Sequence, residues 1–184
     1  MPSRVTSDLK ATAYHEAGHA VAMVEFEVHF EKVSILGDLT KLGFVKCTTE
    51  GRSTGDAGRL VHNLHEIVCD LAGPITHARA ISGTPFTIVG SGVGFADDRT
   101  KASLRCQMIV NDFLLAQSSG GAVNSSGLSP EAKNIEYVLY LATVALIENR
   151  WPEIEAVANG LLQYGEVAES QVKDLCASAA TRKG

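Results

Sequence analysis

Apolar residues return every three to four positions along most of the chain and alternate with polar ones in one short region, which predicts a mostly helical fold with a small sheet. Residues 7–26 read as an alanine-rich helix, with Ser7 as its cap and Asp8 in its first turn. "EKVSIL" (31–36) and "LGFVKCTT" (42–49) are rich in β-branched or alternating residues. "GDLTK" between them carries turn chemistry, so a hairpin or a pair of adjacent strands is predicted. A polar, glycine-rich loop follows at 50–58.

From 57 to 81, Leu60, Val61, Leu64, Ile67, Val68 and Leu71 repeat with helical spacing, and Gly73-Pro74 predicts a kink or a break. Residues 82–94 read as a loop, 97–117 as a helix and 118–127 as a flexible connection. "SPEA" (129–132) announces a helix running to Asn149, with serine as cap and proline at its first position. Two shorter helices, 151–165 and 170–180, close the chain. The fold class is mainly α (α+β), a single domain over 1–184 with a small N-terminal hairpin or sheet beside the first helix.

Composition narrows the function classes. At 45% hydrophobic and 20% charged, the 184 residues describe an ordinary globular protein, not a disordered one. A formal net charge of −5, with no block of lysine and arginine, argues against nucleic acid as a partner. Cys47, Cys69, Cys106 and Cys176 lie far apart, without the spacing of a thiolate zinc site or a disulfide framework, and read as free thiols. Neither a signal-peptide core nor an apolar run of membrane-spanning length is present, so no membrane partner and a cytoplasmic location are expected.

The candidate chemistry sits in "AYHEAGHAVA". On a helix, residues four apart are displaced by about 6 Å along the axis and only ~40° around it. His15 and His19 therefore face one way and can grip one metal ion. Glu16 is placed to reach a water near that ion, the geometry of the H-E-x-x-H motif, with glutamate as general base. Ala13, Ala17, Gly18, Ala20 and Ala22 suit a helix packed closely on several sides, where two unpartnered imidazoles would be costly.

A catalytic zinc site needs a third protein ligand. The metzincin pattern requires glycine at 22 and histidine at 25, where the chain has Ala22 and Glu25. His29, beyond the helix, is a weak candidate. "HNLHE" (62–66) has the wrong order for an inverted motif, so His62 and His65 read as a solvated helix face. "GVGFADDRTKAS" (92–103) is the best candidate. Its two aspartates open a helix after a glycine-rich loop, one as the N-cap and the other available to a metal.

These stretches together resemble the peptidase domain of the FtsH-type ATP-dependent zinc metalloproteases. "HEAGHA" (15–20) is the family's hallmark. "FEKVSILGDLTKLGFVKCTTE" (30–50) resembles its strand pair, and "DLAGPITHARAISG" (70–83) its leucine-alanine-glycine helix. "GFADDRTKAS" (94–103) resembles the segment whose aspartate is the third zinc ligand, and "ALIENRWPEIEAVANGLLQYGEV" (145–167) follows the C-terminal pattern. The resemblance covers about residues 9 to 180. It implies a mostly helical metallopeptidase domain with one Zn2+ per chain on His15, His19 and Asp98, and Glu16 as base. Asp97 then stands where the family has asparagine.

Two departures qualify it. The sequence holds no G-x-x-x-x-G-K-[ST], so these residues are not expected to bind and hydrolyse ATP. Thr76-His77-Ala78 replaces the family's Ala-Glu-Glu. The resulting expectation is a zinc metalloendopeptidase acting on unstructured proteins or on substrates delivered by a separate ATPase. An extended peptide would add to a free edge of the "LGFVKCT" strand. The alternative is a zinc-binding adaptor or scaffold without turnover. Monomer, dimer and hexamer stay open.

Overall fold

In the computed structural model, residues 4–37, 43–47, 56–83, 93–117 and 128–181 are described. Most of the expected 82–94 loop and all of the 118–127 connection lie outside them. The elements are α1 (Arg4–Glu25), β1 (Phe30–Ser34), β2 (Phe44–Cys47), α2 (Asp56–Ser82), α3 (Val93–Gln117), α4 (Pro130–Asn149), α5 (Trp151–Tyr164), β3 (Glu166–Ala168) and α6 (Glu169–Ala180). The fold is mainly helical with one small antiparallel sheet, as the hydrophobic pattern predicts.

α1 and α2 form the centre. α1 packs against α2 and α5, while α3 and α4 lie against α2, and α6 covers α5. Alanines lead the α1 contribution to the core, beside Tyr14, Val21 and Met23: Ala13, Ala17, Ala20 and Ala22 are fully buried. Ile67, Leu71, Ala72 and Ile75 meet them from α2, and Ile154, Val157, Ala158 and Leu161 from α5. Small side chains on α1 let its neighbours approach from several directions, which brings its polar residues within reach of α2 and α3.

Helix boundaries depart from the pattern at instructive places. α1 already runs from Arg4, so Ser7 lies within the helix and not at its N-cap position. Ser129 does cap α4, its hydroxyl accepting from the Ala132 N–H at 3.2 Å. α2 runs through Gly73-Pro74 without a break. A proline inside a helix costs roughly 3 kcal/mol, and burial of Ile67, Leu71 and Ile75 against α1 offsets that cost. α3 starts at Val93, four residues before Asp97, so neither aspartate is an N-cap.

The sheet has the order β2-β1-β3. β1 pairs with β2 through Val33↔Val45 and Ser34↔Phe44, as the hairpin signal predicts. Its other edge takes β3, with Val33↔Val167. The sheet is thus not wholly N-terminal. A three-residue strand wedged between two helices has no periodicity to betray it, although Val167 is buried. Among the described residues β2 pairs with β1 alone, as an edge strand. Among the described residues, no helix is long and apolar enough to cross a membrane.

Candidate metal centre

His15 and His19, one turn apart on α1, turn their Nε2 atoms towards each other at 3.1 Å, and each residue is only 9% exposed. The tautomer of His19 is fixed from behind, because its Nδ1–H donates to the Cys69 carbonyl at 2.7 Å. That carbonyl belongs to α2 just before Gly73-Pro74. Gly73 itself lies against the imidazole: a Cβ built there would sit 2.2 Å from His19 Nε2. α2 therefore orients one histidine with a backbone acceptor and makes room for its ring with a missing side chain.

α3 supplies the third group. Asp98 Oδ2 lies 3.1 Å from His15 Nε2 and 3.2 Å from His19 Nε2. α3 is registered on α2 by Arg105, whose guanidinium bridges Glu66 and Asp70. Burial pushes the Asp70 carboxyl up to about 6, against the pull of Arg105. The buried stripe of Ala102, Cys106 and Val110 faces the core below it. Asp97 points away, 61% exposed and 2.9 Å from Lys101 Nζ. Of the two aspartates the sequence offers, Asp98 meets the histidines.

The donor triangle fits a metal ion. Tetrahedral ligands about 2.0–2.1 Å from zinc stand roughly 3.3 Å apart. The three separations here are 3.1, 3.1 and 3.2 Å, so a spread of a few tenths of an ångström admits the ion. The electrostatics point the same way. Burial lowers His15 to about 4 despite its contact with Asp98. Burial also pulls His19 down, but the Asp98 hydrogen bond and charge, with Glu16 behind them, lift it to about 9. Asp98 feels burial upward, yet its bonds to both histidines hold it far below the usual carboxylate range. Without an ion the trio keeps one proton, which supplies the positive charge these facing lone pairs require.

Glu16 follows His15 and is 6% exposed. The chain leading into β2 passes over it: a Cβ on Gly43 would lie 2.7 Å from Glu16 Oε1. The free edge of β2 thus begins beside the carboxylate.

The other histidines separate clearly. His77 of α2 stands edge-on to His15, ring centroids 6.2 Å apart. Burial lowers its pKa, against a hydrogen bond to the backbone of Ala11. It lies one turn past Gly73 on the same helical face, and that spacing is the signal that places it beside the centre. His29 is 62% exposed and pairs with Glu169 at 3.1 Å, remote from the cluster. His62 lies 3.9 Å from Glu66. His65 corrects the solvated-face reading, since it is partly buried and stacks on Phe26 at 4.4 Å. Cys69, Cys106 and Cys176 are free thiols, and burial pushes Cys106 and Cys176 up to about 11. The side chain of Cys47 lies outside the described residues.

Set against known proteins, the chain matches no family model and no curated protein.

Proposed function

We propose that the chain is a metal-dependent endopeptidase, with zinc on His15, His19 and Asp98, cleaving extended, unfolded segments of protein. The observation that carries this reading is the convergence of two imidazole nitrogens and one carboxylate oxygen within 3.2 Å of one another, with a buried glutamate one residue after the first. His-His-carboxylate sets with an open position are characteristic of hydrolytic zinc sites, although imidazole and carboxylate also suit other first-row ions.

When bound, a divalent ion supplies positive charge that polarises the scissile carbonyl and acidifies a nearby water. The chain's own residues do the rest. Glu16 accepts the proton of the attacking water as the new C–O bond forms. It then passes that proton to the amine as the C–N bond breaks. On the edge that is open among the described residues, β2 offers main-chain N–H and C=O groups to an extended peptide, binding it without demanding a sequence. Because Gly43 lies against Glu16, a peptide on this edge is led to the base. A folded substrate cannot present such a strand, so substrates are unstructured or delivered by a separate unfolding ATPase.

The test is cleavage of casein and of a pool of unstructured peptides by the purified protein, with metal content measured in parallel. Cleavage that a chelator abolishes and zinc restores is the expected result. Full metal occupancy without cleavage, even with candidate ATPases added, would overturn the peptidase reading in favour of a metal-binding adaptor.

A further inference from the structure

The two oxygens of Asp98 have different partners. Oδ2 faces both Nε2 atoms, whereas Oδ1 accepts from Lys101 Nζ at 3.2 Å. The same ammonium lies 2.9 Å from Asp97 Oδ2. On α3 the lysine is three residues from one aspartate and four from the other, so one helical face presents all three groups together. We infer that Lys101 is a positioning residue for the metal centre: it holds Asp98 as a one-oxygen ligand, with Asp97 as the anchor that holds the lysine. This rests on the metal reading above and assigns a task to the second aspartate, which otherwise faces solvent.

A carboxylate free to turn about its Cβ–Cγ bond can offer a metal one oxygen, two, or neither. An ammonium on Oδ1 removes that freedom and leaves Oδ2 towards the histidines. Other cations nearby are engaged elsewhere: Arg105 bridges Glu66 and Asp70, and Arg99 lies 3.7 Å from Glu136. An exposed ion pair is worth little to stability. A partner that orients a ligand, by contrast, commonly governs metal affinity by 10–100-fold. With side-chain exposures of 44% for Lys101 and 13% for Asp98, the pair has its hydrogen-bonded end on the sheltered side.

The experiment compares the full-length parent with Lys101→Met, Lys101→Arg and Asp97→Asn. Zinc affinity is read by chelator competition, and Co2+-loaded protein by visible absorption, which reports ligand number and geometry. Lys101→Met should bind zinc about tenfold more weakly, with an altered Co2+ spectrum and an unchanged metal-free circular dichroism spectrum. Lys101→Arg should restore both readouts, and Asp97→Asn should show a smaller loss. Parent-like affinity and spectrum in Lys101→Met would overturn the inference. Tighter binding in that variant would overturn it too, because the charge of the lysine would then outweigh its positioning. A parent that binds no metal would instead be a failure of the underlying metal reading. If Lys101→Met does not fold, Lys101→Gln, which keeps a donor without the charge, must bind zinc more weakly than both the parent and Lys101→Arg for the inference to stand.

Discussion

Adding one methyl group at Gly73 should empty the metal centre while leaving the helices in place. A Cβ there would stand 2.2, 2.6 and 2.7 Å from Nε2, Cε1 and Cδ2 of His19. Ordinary contact requires about 3.4 Å or more, so the imidazole must retreat by roughly 1 Å. Metal-ligand bonds tolerate about 0.2 Å, and the ring is also tied to the Cys69 carbonyl behind it. It cannot both keep that bond and reach an ion. Alanine favours the interior of a helix over glycine by about 1 kcal/mol, while overpacking costs about 1–3 kcal/mol. The net loss of metal-free stability is therefore modest, about 0–2 kcal/mol by that balance. The parent, saturated with zinc at about 100 times its Kd, should gain close to 2.7 kcal/mol in thermal unfolding. Gly73→Ala should gain almost nothing under the same conditions, and should retain no zinc through dialysis. A variant that keeps both the zinc and the thermal gain would refute the assignment of His19 as a ligand pressed against α2.

Other expectations follow from neighbouring contacts. Gly43→Ala should move the approach to β2 off Glu16, lowering peptide cleavage at least tenfold, on the order expected for a misplaced acid–base group, with zinc content unchanged; equal cleavage would show that this approach does not guide substrate. Thr76 is fully buried, and among the described residues its hydroxyl has no hydrogen-bond partner. Thr76→Val should therefore stabilise the protein by about 1 kcal/mol in denaturant unfolding, and a loss of stability would mean that the hydroxyl is satisfied in solution. Metal uptake should release protons: near neutral pH, His19 at about 9 holds one and His15 at about 4 holds none. Affinity should then rise about tenfold per pH unit between roughly pH 5 and 8, with one proton released per ion in buffer-dependent calorimetry. Uptake without proton release would contradict the single-proton cluster.

The hairpin and most of the helices are visible in the chain because their signals are local: periodicity, turn residues, and Ser129-Pro130 ahead of α4. Where reading and fold diverge, a distant contact decides. Pro74 predicts an interruption, yet α2 continues because α1 packs along it. β3 exists because β1, some 130 residues earlier, leaves an edge for it. At the site, His15, Glu16 and His19 are legible through spacing on one helix, whereas Asp98 is told from Asp97 only by the family resemblance. Two adjacent aspartates have equal chemistry, and only the seat of α3 on α2 decides which of them faces the histidines. Gly73 and Cys69 likewise gain their roles from the α1–α2 contact. The position of His77 edge-on to His15 emerges only with that packing.

The most direct test of the account is Glu16→Gln, read for metal and for cleavage in one preparation. The substitution keeps the size of the side chain and its capacity for hydrogen bonds, removes the base, and leaves the three proposed ligands in the sequence. Zinc content and melting temperature should match the parent, while metal-dependent hydrolysis of an unfolded peptide should fall by about 10²–10⁴-fold. Cleavage at the parent's rate by a zinc-loaded Glu16→Gln protein would contradict the mechanism.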